Sequence, residues 1–119
     1  MPYVKVTSNV SSSNIDKNKA MAAISKGVAS ALDKSEKAVM VHLELSTSMM
    51  FQASDAPCAM IQLRSIGKVD PQHNPTTASV LTEIVSAELD IPKERIFMNF
   101  DDVSRSNCAM KGFLISEPK

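Results

Sequence analysis

The feature that most constrains how this chain folds is an order of elements that occurs twice. Residues 3–7 alternate, with Val4 and Val6 on one face and Tyr3, Lys5 and Thr7 on the other, the pattern of a half-buried strand. Residues 15–32 carry Met21, Ile24, Val28, Ala31 and Leu32 at helical spacing, with Lys17, Lys19 and Lys26 on the wet side. Residues 38–45 alternate again, Val39, Val41, Leu43 and Leu45 opposite Met40, His42 and Glu44. The same order then recurs. Residues 58–66 read as a strand, apolar on both faces near its start and therefore central, and Gly67 ends it. A helix opens at Asn74-Pro75, carries Val80, Leu81, Ile84, Val85 and Leu89, and closes at Ile91-Pro92. Residues 95–100 form the last main strand.

Two βαβ units side by side give a single α+β domain over residues 1–119: a four-stranded sheet with both helices on one face. The other face is then bare. It is expected to carry residues such as Met40, His42, Met60 and Leu63, or their neighbours, depending on phase. A partly apolar sheet face without cover needs a partner, so the pattern predicts a homo-oligomer. The connections have expectations of their own. Ser13 and Asp16 resemble a capping box for the first helix, and Asn74 is the expected cap of the second. Residues 46–57 form a loop whose apolar part is Met49, Met50 and Phe51. Residues 101–107 form a polar turn, residues 108–115 a short strand or hairpin, and residues 116–119 a loose tail.

Charge and cysteine usage exclude several functions. Lys and Arg total 13, as do Asp and Glu, which argues against a nucleic-acid footprint or a polybasic membrane patch. No apolar run is long enough for membrane insertion, and no basic-then-apolar leader opens the chain, so a cytoplasmic protein is expected. An extracellular role would require secretion without a signal peptide. Cys58 and Cys108 lie far apart and read as reduced thiols, at least one of them buried. Neither they nor His42 and His73 have neighbours at metal-ligand spacing, so no metal and no cofactor are expected.

The first stretch, Met1-Pro2-Tyr3-Val4-Lys5-Val6, carries the chemical interest. Initiator Met is commonly removed before Pro, and Pro2 would then present a secondary amine fixed at the start of a strand. Such an amine can take and return a proton. Pro is also simply tolerated at a strand's first position.

Several segments, in order, carry a resemblance. Met1-Pro2 opens a strand that runs into Thr7-Ser8-Asn9-Val10, and Lys34 follows the first helix. Asp55-Ala56-Pro57-Cys58-Ala59 leads into Ser65-Ile66-Gly67-Lys68, and Ile91-Pro92-Lys93-Glu94-Arg95 continues as Ile96-Phe97-Met98-Asn99-Phe100. As a set, to about Gly112, they resemble the macrophage migration inhibitory factor family of the tautomerase superfamily. The resemblance implies a homotrimer whose sheets line a central barrel. It implies a cofactor-free keto–enol tautomerase, an isomerase of small aromatic 2-oxo acids such as phenylpyruvate and of L-dopachrome-type compounds. Active sites are then expected at subunit interfaces, with Pro2, Lys34 and Ile66 of one subunit beside Phe97 and Asn99 of the next. Pro2 is the implied general base. Lys34, the Ser65-Ile66 segment and Asn99 are implied to bind substrate, with Tyr3, Phe97 and Met110 as apolar walls. The alternative is a secreted, cytokine-like immune modulator that acts on a cell-surface receptor, with weak or vestigial tautomerase activity.

Such a reaction takes a proton from carbon beside a carbonyl, which needs a base with a pKa near the working pH. An α-amino group titrates near pH ~8, and burial and a nearby cation both lower it. Lys34 can supply that cation and hold a carboxylate, and the Ile66 N–H can donate to a developing enolate oxygen. Residue by residue, Lys34 also suits an ordinary helix C-terminus and Phe97 a core. The chain departs from the family pattern at Asp33, where Gly is usual, at Phe97 for Tyr, at Met110 near a frequent Trp, and at Gln52-Ala53 for Gly-Gly. Ile61 stands where vertebrate relatives have a second Cys, so the thiol–disulfide activity proposed for that motif is expected to be absent.

Overall fold

Val4 and Val6 on one strand, and Ile61 and Leu63 on its neighbour, are completely or almost completely buried, and the whole arrangement follows from covering them. The computed structural model describes residues 1–117. The main elements are β1 (Tyr3–Ser8), α1 (Lys17–Leu32), β2 (Met40–Glu44), β3 (Ala59–Ser65), α2 (Asn74–Leu89) and β4 (Ile96–Asp102). Two short strands follow, β5 (Ala109–Met110) and β6 (Phe113–Leu114). The main sheet has the order β2-β1-β3-β4. β1 is parallel to β2, β3 is parallel to β4, and the two βαβ units meet through the antiparallel pair β1 and β3. The expected four-stranded sheet with two helices on one face is thus observed.

Both helices bury their stripes against that face. Ala20, Ile24, Val28 and Leu32 of α1 join Leu81, Val85 and Leu89 of α2 in one core cluster with the strand residues. Each fully buried large side chain stabilises the fold by roughly 1.5–3 kcal/mol relative to exposure. The helices approach closely at Gly27, where a Cβ would come within 2.2 Å of Ile84 Cδ1.

The ends of the helices differ from the sequence reading in informative ways. Ser13 lies inside a short 3-10 turn, Ser12–Asn14, capped by Ser11. Asp16 alone caps α1, its Oδ1 accepting the Lys19 N–H at 3.1 Å. A carboxylate one turn later does the work assigned to the Ser13–Asp16 box. Asn74 is not the cap of α2 either. The Asp70 carboxylate accepts the Gln72 and His73 N–H groups at 3.0 and 2.8 Å, and Asn74 Oδ1 accepts the Asp70 N–H at 3.1 Å. At the other end, Asp33 takes the left-handed conformation, φ 51°, and the Lys34 N–H donates to Ala29 O at 2.9 Å. Asp90, φ 55°, closes α2 in the same way, with Ile91 N–H on Ser86 O at 3.1 Å. Non-glycine residues thus serve both left-handed caps. This also stops α2 at Leu89, short of Ile91-Pro92.

The second sheet face is uncovered within one chain. Across it the register gives three rows: Met40, Tyr3, Arg64 and Asp101; His42, Lys5, Gln62 and Asn99; Glu44, Thr7, Met60 and Phe97. Met40, His42 and Met60 fall where expected. Leu63 does not, because β3 places it with Ile61 beneath the helices, and Gln62 and Arg64 take the open side. Polar pairs tie the rows: Tyr3 Oη to His42 Nδ1 at 3.1 Å, Lys5 to Glu44 at 4.0 Å, and Arg64 to Asp101 at 3.3 Å. Residues 108–115 form the expected hairpin, antiparallel β5 and β6, with the Ile115 N–H on Cys108 O at 2.8 Å. Ser116 and Glu117 are held rather than loose: their N–H groups donate to Arg105 O and Leu114 O at 3.2 and 3.0 Å. The rest of the expected tail, residues 118–119, lies outside the described residues.

Candidate active site

One corner of the chain gathers the groups expected to act together. The left-handed turn at Asp33 reverses the backbone after α1 and sends Lys34 toward the end of β3. Lys34 Nζ donates to the carbonyl of Ile66 at 2.9 Å. Ser65 and Ile66 follow directly from β3, and Gly67, φ 78°, turns the chain away. β1 starts beside the same strand end: Tyr3 pairs with Arg64, and one step along that register Pro2 lies opposite Ser65. Pro2 is buried, and its carbonyl accepts the Met40 N–H at 2.9 Å.

The chain described retains Met1, so its free amine belongs to Met1 and the Pro2 nitrogen is an amide. That amine lies below the ordinary value of 8.0, through burial first and the Lys34 charge second, while Cys108 acts in the opposite direction. Burial and the Lys34 charge at this corner therefore both disfavour an ammonium. Cys108, at the base of the β5–β6 hairpin and half-buried, had no signal in the sequence to connect it with this corner.

The remaining expected site residues stand elsewhere on the same chain. Tyr3 points to the open sheet face, bonded to His42. Phe97, 52 % exposed, is paired with Met60 at the opposite end of the sheet from Pro2. At ~3.3 Å per strand residue, Phe97 is about 13 Å from the Asp101 row that flanks Tyr3. Asn99 occupies the middle row, and its Oδ1 is buried with no hydrogen-bond partner among the described residues. Ser65 Oγ is in the same condition. Met110 is an exposed hairpin residue, with Phe113 and Leu114 exposed beside it.

Phe97 borders an apolar cleft of about 240 Å³, lined also by Met49, Met50, Phe51 and Met60. The sequence marked Met49, Met50 and Phe51 only as the apolar part of a loop. A more open depression of about 530 Å³, beside Asn9, Thr47 and Asp55, contains none of the expected site residues. Among the described residues, no three His, Cys, Asp or Glu side chains gather to hold a metal, and no helix is long and apolar enough to cross a membrane.

Comparison with known proteins identifies the family and matches the fold. The family model described as Macrophage migration inhibitory factor (MIF) matches residues 1–116. A macrophage migration inhibitory factor homolog of Brugia malayi is 36% identical over 112 residues, 94% of this chain and 96% of that protein. The structure of a macrophage migration inhibitory factor from Oncomelania hupensis superposes with a TM-score of 0.90 at 26% identity, over 96% of this chain and 82% of that one. That from Toxoplasma gondii gives 0.84 at 29% identity, over 94% and 98%. With a family model spanning nearly the whole chain and the fold matched at this level, the chain belongs to the macrophage migration inhibitory factor family of the tautomerase superfamily.

Proposed function

We propose that this protein is a cofactor-free keto–enol tautomerase of aromatic 2-oxo acids, phenylpyruvate the simplest, working as a homotrimer with Pro2 as general base once Met1 is removed. The observation that carries the reading is the corner where a buried strand start, the Lys34 ammonium and the Ser65-Ile66 segment meet, and where an N-terminal amine is disfavoured in its charged form. Removing Met1 moves the terminal amine one residue inward, onto the nitrogen of a buried proline. Burial and Lys34 then act on the base itself and hold it unprotonated nearer neutral pH.

The chemistry needs little else. Neutral Pro2 takes the proton from the carbon beside the carbonyl, and the electron pair passes into the carbonyl to give the enolate. Pro2 in its protonated form returns a proton to complete the enol–keto exchange. Lys34 exchanges its bond to Ile66 O for the substrate carboxylate, which is a stronger acceptor for a cation. The Ile66 N–H donates to the oxygen on which charge develops. The aryl wall comes from a second copy, because Phe97 and Asn99 stand too far along the sheet to serve the Pro2 of their own chain. The unpartnered Asn99 Oδ1, the open sheet face and the exposed hairpin residues Met110, Phe113 and Leu114 all support a site completed by another subunit.

The test is phenylpyruvate tautomerisation by protein whose mass shows Met1 to be absent, beside Pro2→Gly and a form that retains Met1. Both controls are expected to lose roughly 10²–10⁴-fold in rate, the usual contribution of a positioned base. A wild type no faster than its controls would overturn the reading.

A further inference from the structure

Arg95 was read from sequence as the first residue of the last main strand, yet it stands just before β4 and reaches back across the molecule. Its guanidinium donates to four backbone carbonyls of one loop: Phe51 O at 2.7 Å, Ala56 O at 2.9 Å, Ser54 O at 3.1 Å and Pro57 O at 3.2 Å. The same group lies 5.6 Å from the centre of the Phe51 ring, over its face. A planar fork of fixed donors can satisfy several acceptors at once, and an ammonium cannot.

The loop needs that hold. Phe51 and Ser54 exchange backbone hydrogen bonds at 2.9 and 3.1 Å across a tight turn whose central residues are Gln52, φ 53°, and Ala53, φ 60°. Consecutive left-handed residues suit glycine, and both positions carry a β-carbon instead. Two of the Arg95 bonds fall on the carbonyls at the two ends of this turn. Beyond the turn, the Phe51 ring meets Phe97 at 6.4 Å between centres and 57° between planes. Phe51 and Phe97 both line the apolar cleft of about 240 Å³.

We infer that Arg95 is a positioning residue for aryl substrates: it clamps the 51–54 turn, the turn sets the Phe51 ring, and Phe51 fixes Phe97 as the wall that receives the substrate's ring. The inference rests on the tautomerase reading for its substrate and on geometry alone for the clamp. Arg95 itself touches no reacting atom.

The experiment compares wild type, Arg95→Lys and Phe51→Ala with two substrates, phenylpyruvate and the ringless oxaloacetate. Nuclear Overhauser contacts between the Phe51 and Phe97 rings are recorded on wild type and Arg95→Lys. Arg95→Lys keeps the charge but not the fork. It is expected to lose the ring-to-ring contact and to raise KM for phenylpyruvate roughly three- to tenfold, the scale of one aromatic contact, with kcat and oxaloacetate turnover near wild type. Phe51→Ala is expected to reproduce the KM effect while Arg95 is intact. A ring contact that survives in Arg95→Lys overturns the inference, and so does an unchanged KM after the contact is lost. Proportional loss on both substrates also overturns it, since that marks general damage to the fold. If wild type turns over neither substrate, the tautomerase reading fails, and the ring contact alone decides whether Arg95 positions Phe97.

Discussion

Lys34 illustrates how a residue acquires a role from its surroundings. By position alone it is an ordinary lysine after a helix, and only the family resemblance marked it as a substrate-binding residue. The Asp33 turn and the bond to Ile66 O at 2.9 Å bring its charge to the start of β1. The linkage has a definite sign. An amine whose folded-state pKa lies below its unfolded value binds fewer protons in the native state. Its contribution to stability is therefore most adverse below the folded pKa and is relieved as pH rises toward 8.0. In the proposed mechanism catalysis runs in the same direction, since its base works unprotonated. Lys34→Ala is expected to move the acid limb of the kcat/KM profile to higher pH and to raise KM through the lost carboxylate contact. An unshifted limb would mean that burial alone sets the base. Ser8 is a second residue whose work was hidden in the sequence. Its hydroxyl donates to Cys58 O at 2.7 Å and accepts the Val10 N–H at 3.1 Å, fully buried. Ser8→Ala leaves both partners unsatisfied and should cost about 1–3 kcal/mol in urea unfolding.

Elements were legible where periodicity is strong. The alternation of Val4 and Val6 and the stripes of α1 and α2 record one-sided burial directly, and both helices lie on the face they predict. Boundaries were less legible, because several residues compete for the same backbone donors. Asp16 alone took over from the Ser13–Asp16 box, since a free carboxylate accepts N–H groups well, while α2 starts after His73 with no side-chain cap and Asn74 turns back to the Asp70 N–H. Leu63 was assigned a doubtful face for another reason: a strand apolar on both sides near its start carries no clear phase until its partners are known. Gly27 marks a contact between helices that no single-helix pattern contains. Gly27→Val, forced against Ile84 Cδ1 at 2.2 Å, is expected to destabilise the fold by roughly 1–3 kcal/mol despite better helix propensity. Ile61→Ala, in the middle of β3, should cost more, about 2–5 kcal/mol, because it opens a cavity between sheet and helices. Thermal unfolding of the two variants orders these effects, and the reverse order would contradict the packing described.

At the scale of the whole molecule, the bare sheet face was legible as a consequence of topology, and it led to the expectation of a homo-oligomer, with which the fold is consistent. Met40, 64 % exposed, Met60 and Phe97 interrupt a face otherwise tied by polar pairs. That mixture suits an interface lined with water on one side better than a dry core. The expected assembly sediments at three times the 12.9 kDa chain. Within one chain Pro2 and Lys34 share a corner, while Phe97 and Asn99 lie at another part of the sheet, which is why the proposed site needs a second subunit. The most direct test mixes two inactive variants. One carries Pro2→Gly. The other carries Phe97→Ala with Asn99→Ala and keeps Pro2. Each alone should be nearly inactive on phenylpyruvate. Unfolded together and refolded as mixed trimers, they should regain about a quarter of wild-type activity, because random association joins an intact Pro2 to an intact Phe97 and Asn99 at that frequency. A mixture that assembles and stays at the level of its parents would contradict a site shared between subunits.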